Sequence, residues 1–317
     1  VKLKERFRKA MASRAAFVAY LCTVQGFCLV SFILQLLGIQ VSHGWVAKCL
    51  LQLLGTRFGT ANGSRQVLDT GSPVVYLSNH RSWGDFWTDA ALLGGPSFIS
   101  RALVAAGIPA TAAWGSTSGW LWFFARGSQH KEGAVEWMKN FLSERIKGFP
   151  SKGVVVYPEG TRSLLPEGLP LKLGAIASAY QLQWPVQVVI TTNKESVTAE
   201  RDFAVHFGTC CVSSVSEAID PRKFENLNTF LEVVKDTWKK TWQEAYSPNF
   251  QMRSEAILPG GKLAKVGFTL QGSWRLQLLR LIFLAFILWL FQKLRAKHRK
   301  IHCERDANQE VNAARSE

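Results

Sequence analysis

The 317-residue chain is poor in several features that would fix its chemistry at once. Its six cysteines, Cys22, Cys28, Cys49, Cys210, Cys211 and Cys303, show no CxxC spacing, which argues against a disulfide scaffold and against a zinc site. It has neither a P-loop nor a GxGxxG pattern, so nucleotide hydrolysis and hydride transfer lose support. The nearest approach to a nucleophile elbow, Gly115-Ser116-Thr117-Ser118-Gly119, carries Thr at its centre. Charged residues make up 19%, below the roughly 25% of ordinary soluble domains. What is plentiful is Trp, with 12 copies, within a composition that is 47% hydrophobic and carries a net charge of +15. That balance excludes a disordered chain and favours a membrane-associated one.

Charge and apolar residues are unevenly placed. The first 14 residues carry Lys2, Lys4, Arg6, Arg8, Lys9 and Arg14 against Glu5, and the 33 residues Ala15–Ala47 then contain no Asp, Glu, Lys or Arg. About 20 apolar residues cross a bilayer, so this run either spans one or dips into one leaflet as a helical hairpin with Trp45–Leu54. It is longer than the apolar core of a signal peptide and has no small-x-small cleavage site, so a retained membrane segment is expected. A second apolar run, Leu276–Phe291, is interrupted by Arg280 and reads as a membrane helix or as an interfacial or core helix. Directly after it come Lys293, Arg295, Lys297, Arg299 and Lys300, the pattern of a headgroup interface. These cations flank apolar helices and do not cover a folded face, so nucleic acid is not expected as a partner.

Between the two ends, short β-branched runs alternate with helical periodicity. Val74–Ser78, Val154–Tyr157 and Val186–Thr191 read as buried strands, with Phe203–Phe207 and Cys211–Val215 as weaker candidates. Lys131–Lys147, Leu173–Leu182 and Asn228–Tyr246 read as helices. The alternation predicts an α/β fold, a mostly parallel sheet covered by helices, flanked by N- and C-terminal membrane helices. The expected divisions are residues 1–60 for the basic start and membrane segment, 61–247 for a catalytic domain, 248–273 for a linker, 274–294 for a C-terminal membrane helix and 295–317 for the tail.

In a parallel sheet, ligands gather beyond the carboxyl ends of the strands. Two polar blocks fall there: Asn79-His80-Arg81-Ser82-Trp83-Gly84-Asp85 after the first strand, and Pro158-Glu159-Gly160-Thr161-Arg162-Ser163 after the second. On one regular helix, His80 and Asp85 would lie about 140° apart, so they meet only if His80 is in the turn before a helix and Asp85 in its first turn. Asp85 would then hold one imidazole nitrogen while the other takes a proton from a nucleophile, which, with no Ser or Cys nucleophile evident, would be a substrate hydroxyl. A structural hydrogen-bonded pair is the alternative. In the second block, Gly allows close backbone approach and Arg suits a phosphate, although a solvated surface turn has the same composition.

Together and in this order, the two blocks resemble the glycerolipid acyltransferases, specifically the 1-acyl-glycerol-3-phosphate (lysophosphatidic acid) acyltransferases. Asn79, His80 and Asp85 match a first motif, and Gly119–Arg126 resembles an aromatic-rich second motif ending in Arg. Pro158–Ser163 reproduces a third, while Lys172-Leu173-Gly174 and Pro185–Thr192 resemble a fourth, looser block. The resemblance covers about Val74–Thr192. It implies that His80 is a general base oriented by Asp85, and that Arg126, Glu159, Gly160, Thr161, Arg162 and Lys172 bind substrate. The implied reaction moves a fatty acyl group from acyl-CoA, a co-substrate, to the free hydroxyl of a lysophospholipid, most simply 1-acyl-glycerol 3-phosphate giving phosphatidic acid. Another lysophospholipid or glycerol 3-phosphate as acceptor, or a non-catalytic lipid-binding scaffold, are the alternatives. No cofactor or metal is implied, and the expected location is the endoplasmic reticulum membrane with the site facing the cytosol. Asn62-Gly63-Ser64 is a glycosylation sequon, whose use would instead place the domain across the membrane. Trp83, Trp87, Trp114, Trp120 and Trp122 would line an acyl channel, contact the membrane interface or, the simplest reading, pack a core.

Overall fold

The computed structural model describes residues 2–68, 72–125, 133–147 and 153–253. The chain divides into two compact units, Val1–Phe32 with Val41–Phe268, and Ile33–Gln40 with Thr269–Glu317. The fold is that of the first unit. It begins with helices α1 (Lys2–Leu36) and α2 (His43–Leu53), then strands β1 (Arg57–Ala61) and β2 (Val74–Ser78). Next come α3 (Asp85–Leu92), β3 (Ser97–Arg101), α4 (Val104–Gly107), α5 (Pro109–Ser118), β4 (Leu121–Phe124), α6 (Ala134–Ile146) and β5 (Gly153–Val156). The remainder is α7 (Gly174–Gln181), β6 (Val186–Thr191), α8 (Lys194–Val197), β7 (Thr198–Ala199), β8 (Ala204–Val205), β9 (Cys210–Val215), α9 (Leu227–Ala245) and β10 (Phe250–Arg253).

Among the described residues, eight strands form one sheet in the order β10-β1-β9-β6-β2-β5-β3-β4, and β7 pairs with β8 as a short ribbon. Only β1 with β10 and β6 with β9 run antiparallel in the main sheet. In the parallel centre, Val75 of β2 faces Val154 of β5 on one side and Val186 of β6 on the other. The mostly parallel α/β sheet expected from the strand–helix alternation is therefore present.

Side chains on a strand alternate between the two faces, and a sheet covered on both sides needs apolar residues at both parities. Val75, Leu77, Val188 and Ile190 pack on one face against Leu142 of α6, Ile176 of α7, and Phe230, Val234, Trp238 and Trp242 of α9. Val74, Tyr76, Val155 and Val189 point the other way, towards Leu50 of α2, Trp87 of α3, Trp114 of α5 and Trp120. The α9 residues sit four apart, which makes the stripe that meets the sheet, and Asn226 caps the helix by accepting from the Thr229 amide at 3.0 Å. Each large apolar side chain buried this way contributes about 2 kcal/mol.

Several segments differ from the expectations. Helix α2, offered by the sequence to a membrane hairpin, is built into the protein: His43, Val46, Ala47, Leu50 and Leu51 are buried. Its Gly44 lies so close to Gly94 and Gly95 that a Cβ would come within 3.0 Å of their backbone, and the His43 Nε2 atom is 2.7 Å from the Pro96 carbonyl oxygen. The expected linker holds β10, which adds the outer strand to the sheet. The strand expected at Phe203–Phe207 shrinks to Ala204–Val205 because Phe203 turns with φ +50°. The expected C-terminal membrane helix, residues 274–294, and Arg126 lie outside the described residues.

In α1, Ser13–Leu36 is long and apolar enough to cross a membrane. One stripe of it, Phe17, Tyr20, Val24 and Cys28, is buried, while Val18, Leu29 and Val30 are exposed. Gln25 fastens the buried side by bonding Thr111 Oγ1 through its Nε2 and the Ala110 amide through its Oε1, both at 3.0 Å.

Candidate active site

Strands β2, β5 and β6 are parallel neighbours, so their carboxyl ends open on the same edge of the sheet. The segments that leave them, 79–84, 157–163 and 192–194, meet there. Asn79, fully buried, joins two of these ends: its Nδ2 donates to the Thr191 carbonyl at 2.9 Å and its Oδ1 accepts the Thr191 amide at 3.0 Å. The first and third segments are thus registered by one side chain acting as a peptide group would in a ladder.

Helix α3 starts at Asp85, and His80 lies in the turn before it, the one arrangement that brings the two together. The His80 Nδ1 to Asp85 Oδ2 distance is 2.8 Å. Asp85 is fully buried and takes further bonds from the Arg81 amide on Oδ2 and from the Ser82 hydroxyl, 3.2 Å away, on Oδ1. Burial opposes charge on this carboxyl, but the nearby Lys194 ammonium, His80 and the Arg81 amide outweigh it and hold its pKa below the usual carboxylate value. An ionised Asp85 accepts only, so His80 Nδ1 carries the proton and donates, which leaves the Nε2 lone pair free for chemistry. Among the described residues, Nε2 has no hydrogen-bond partner, and the imidazole is about a quarter exposed, 24%. Gly84 fits this turn because a Cβ there would meet the Thr198 side chain at 2.5 Å.

Arg81 is 5% exposed and ties the turn inward. Its guanidinium donates to the Leu165 carbonyl at 2.8 Å and pairs with Glu195 at 3.1 Å.

The loop after β5 is locked to His80 by its backbone. The Ser163 amide donates to the His80 carbonyl at 3.0 Å, and the His80 amide donates to Glu159 Oε1 at 2.9 Å. Glu159 Oε2 accepts the Leu169 amide at 3.1 Å. Glu159 is 2% exposed, so the carboxylate carried over as a substrate contact is turned inward and shapes the loop. Its burial raises its pKa despite these amides. Gly160 has φ +71°, and the Lys172 side chain lies where its Cβ would be, an arrangement open to glycine. Thr161, Arg162 and Lys172 face outward. Arg162 pairs with Glu200 and lies over the Trp83 ring at 5.4 Å, and Arg101, which the sequence reading missed, donates to the Gly160 carbonyl at 3.3 Å. Trp83, Thr161, Arg162, Glu200, Arg201 and Phe203 line an open hollow of about 370 Å³.

The sequence-derived residues thus divide. His80 and Asp85 meet; Gly160, Thr161, Arg162 and Lys172 form a cationic rim beside them; Glu159 is interior; Arg126 is not among the described residues. Four of the five Trp singled out, Trp87, Trp114, Trp120 and Trp122, are core residues, and Trp83 is 56% exposed.

Residues 62–192 match the family model "Acyltransferase". No curated protein sequence matches the chain. Among solved structures, the 1-acyl-sn-glycerophosphate (LPA) acyltransferase PlsC from Thermotoga maritima is similar, with a TM-score of 0.50 and 18% identity over 64% of this chain and 77% of that one. At that identity the likeness concerns the fold. The family match points to acyl transfer, and it spans both the His80–Asp85 turn and the Glu159–Ser163 loop. Residues 62–192 are thus similar to the acyltransferase family, and the chain shares its fold with the 1-acyl-sn-glycerophosphate acyltransferase PlsC.

Proposed function

We propose that the protein transfers a fatty acyl group from acyl-CoA to the free hydroxyl of 1-acyl-glycerol 3-phosphate, giving phosphatidic acid. The observation that carries the reading is the His80–Asp85 pair, 2.8 Å apart at the carboxyl edge of the sheet and bonded through its own backbone to the Glu159–Ser163 loop. His80 Nε2 takes the proton of the acceptor hydroxyl as its oxygen attacks the thioester carbonyl. The tetrahedral intermediate then collapses, the C–S bond breaks, and the imidazolium returns the proton to the departing CoA thiolate. Asp85 stabilises the imidazolium in between.

Arg162 and Lys172, with Arg101, provide the positive charge for the acceptor phosphate, and Thr161 adds a hydroxyl. Glu159 and Gly160 act through the shape of the loop. Arg126 is retained as a further anion contact on the strength of the resemblance. The apolar face of α1 is suited to a bilayer surface, from which both lipid substrates are drawn, and an endoplasmic reticulum membrane with a cytosolic site remains the proposed setting. The direct test is transfer of radiolabelled oleoyl from its CoA thioester in purified membranes, with 1-acyl-glycerol 3-phosphate, other lysophospholipids and glycerol 3-phosphate offered in parallel. The expected result is preferential labelling of phosphatidic acid; labelling of another product would reassign the acceptor, and no labelling with any acceptor would sink the reading.

A further inference from the structure

Behind His80 and Asp85 lies a second group of charges that the transfer step as described does not use. Lys194 and Asp89 are both 0% exposed and form an ion pair at 2.7 Å. Lys194 Nζ also donates to Ser78 Oγ at 2.9 Å and to the Asn79 carbonyl at 3.0 Å, so its three N–H groups meet three acceptors at the root of the motif turn. Asp89 accepts the Tyr157 hydroxyl at 2.9 Å. Burial and Asp89 push the Tyr157 phenol well above its ordinary pKa, which keeps it a donor. The Tyr157 ring in turn stacks on the His80 imidazole, with centroids 4.3 Å apart and planes 15° from parallel.

The group therefore touches His80 through the Tyr157 ring and acts on Asp85 through the charge of Lys194. Asp89 lies one helical turn after Asp85 on α3, so two buried carboxylates share one face of a short helix, and Lys194 is the cation beside them. A buried ion pair is weak evidence for stability, because well-packed apolar residues often serve as well. Its placement here suits a different task. The ring plane of His80 decides where the Nε2 lone pair points, and that plane is set on one edge by Asp85 and on one face by Tyr157.

We propose that Lys194, Asp89 and Tyr157 are positioning residues for acyl transfer: Lys194 supplies the positive charge beneath Asp85, and Asp89, held by Lys194, anchors Tyr157 against the His80 ring. The inference rests on the reading that His80 and Asp85 perform the chemistry. A bonded Tyr157 cannot rock, so the imidazole keeps one orientation through substrate binding and product release.

The test uses the full-length protein in membranes, with oleoyl-CoA and 1-acyl-glycerol 3-phosphate as substrates. Lys194→Met alone leaves Asp89 buried and unpaired, and its failure to fold would say nothing, so the informative variant is Lys194→Met with Asp89→Asn, which removes both charges together. The expected result is a folded protein whose kcat is lower by at least about tenfold, with KM for both substrates within about twofold of wild type. Tyr157→Phe keeps the stacked ring and loses only the hydroxyl. It is expected to stay folded at the assay temperature and to lose about threefold or more in kcat, again with KM unchanged. Wild-type kcat in the folded double variant overturns the role of Lys194, and wild-type kcat in Tyr157→Phe overturns that of Asp89 and Tyr157; if the double variant does not fold, wild-type kcat in Tyr157→Phe overturns the proposal as a whole, because the anchoring by Lys194 runs through Asp89 and Tyr157. His80→Ala run alongside separates the two levels: transfer that survives this change refutes the reading beneath, whereas an inactive His80→Ala with wild-type rates in the other variants refutes the positioning network alone.

Discussion

The inner and outer halves of the site are built on opposite terms. Inside, Asn79, Arg81, Asp85, Asp89, Glu159 and Lys194 are buried and bonded, Asp85 within its own turn and the others to groups far away in the chain. Outside, Trp83 and Phe203 are each 56% exposed, and the Arg162 side chain is 35% exposed with one neighbouring carboxylate as its partner. Buried polar groups are costly to leave unpaired, so the inner half has one arrangement. The outer half loses little by exchanging a partner for a ligand or for water. On the proposed function, orientation of the reacting pair belongs to the first and choice of substrate to the second.

This contrast is broken most severely at its centre. Removing the base by His80→Ala should lower kcat by about 10²–10⁴-fold, measured in the oleoyl transfer assay, while membrane fractionation of the protein stays as in wild type. An inner residue that touches no reacting atom comes next. Arg81→Met strands Glu195 and the Leu165 carbonyl, and should cost about 3 kcal/mol of stability, read from urea midpoints, together with activity towards every acceptor alike. A smaller and more selective effect is expected at the rim. Arg162→Ala should raise KM for 1-acyl-glycerol 3-phosphate about tenfold and leave KM for oleoyl-CoA and the folding midpoint near wild type; a matching loss of stability would erase the distinction between the halves.

The smallest effect is on pH. Because the folded Asp85 carboxyl titrates below its unfolded value, its contribution to stability is complete above the ordinary carboxylate range near about pH 4 and is lost as pH falls through the lower folded value. Asp89 and Glu159, both raised mainly by burial, carry the opposite sign and lose stability as pH rises from the unfolded to the folded value. Asp85→Asn should therefore flatten the acid-side loss of stability below about pH 4, seen as a shallower change of urea midpoint with pH.

Much of the inner half's chemistry, though little of its construction, could be read from residue order. His80, Asp85 and Pro158–Ser163 are contiguous motifs, and β2 and β6 have the bounds their apolar runs suggest, because a strand buried on both faces is an unbroken apolar word. Lys194 gives no such sign. Its meaning comes from Ser78, Asn79 and Asp89, all more than a hundred positions away, and its one local cue is that it follows a strand's carboxyl end by a few residues. Strand β3 was missed for another reason: Ser97-Phe98-Ile99-Ser100-Arg101 is mixed in polarity, and its place in the sheet is set by pairing with β4 and β5. Helix α2 was misplaced because an apolar helix reads alike whether its neighbours are lipid tails or Trp120, against which His43 stacks at 4.6 Å.

The sheet order also sets how the chain can be cut. Strand β9, residues 210–215, lies between β1 and β6, and the central β6 uses it as its second partner. A fragment ending at residue 192, where the family match stops, would bare the flank of β6 and would lack the lysine beneath Asp85. A piece able to fold into a working site therefore runs at least from α2 through β10, and recombination of this domain with another protein should place its junctions outside residues 43–253.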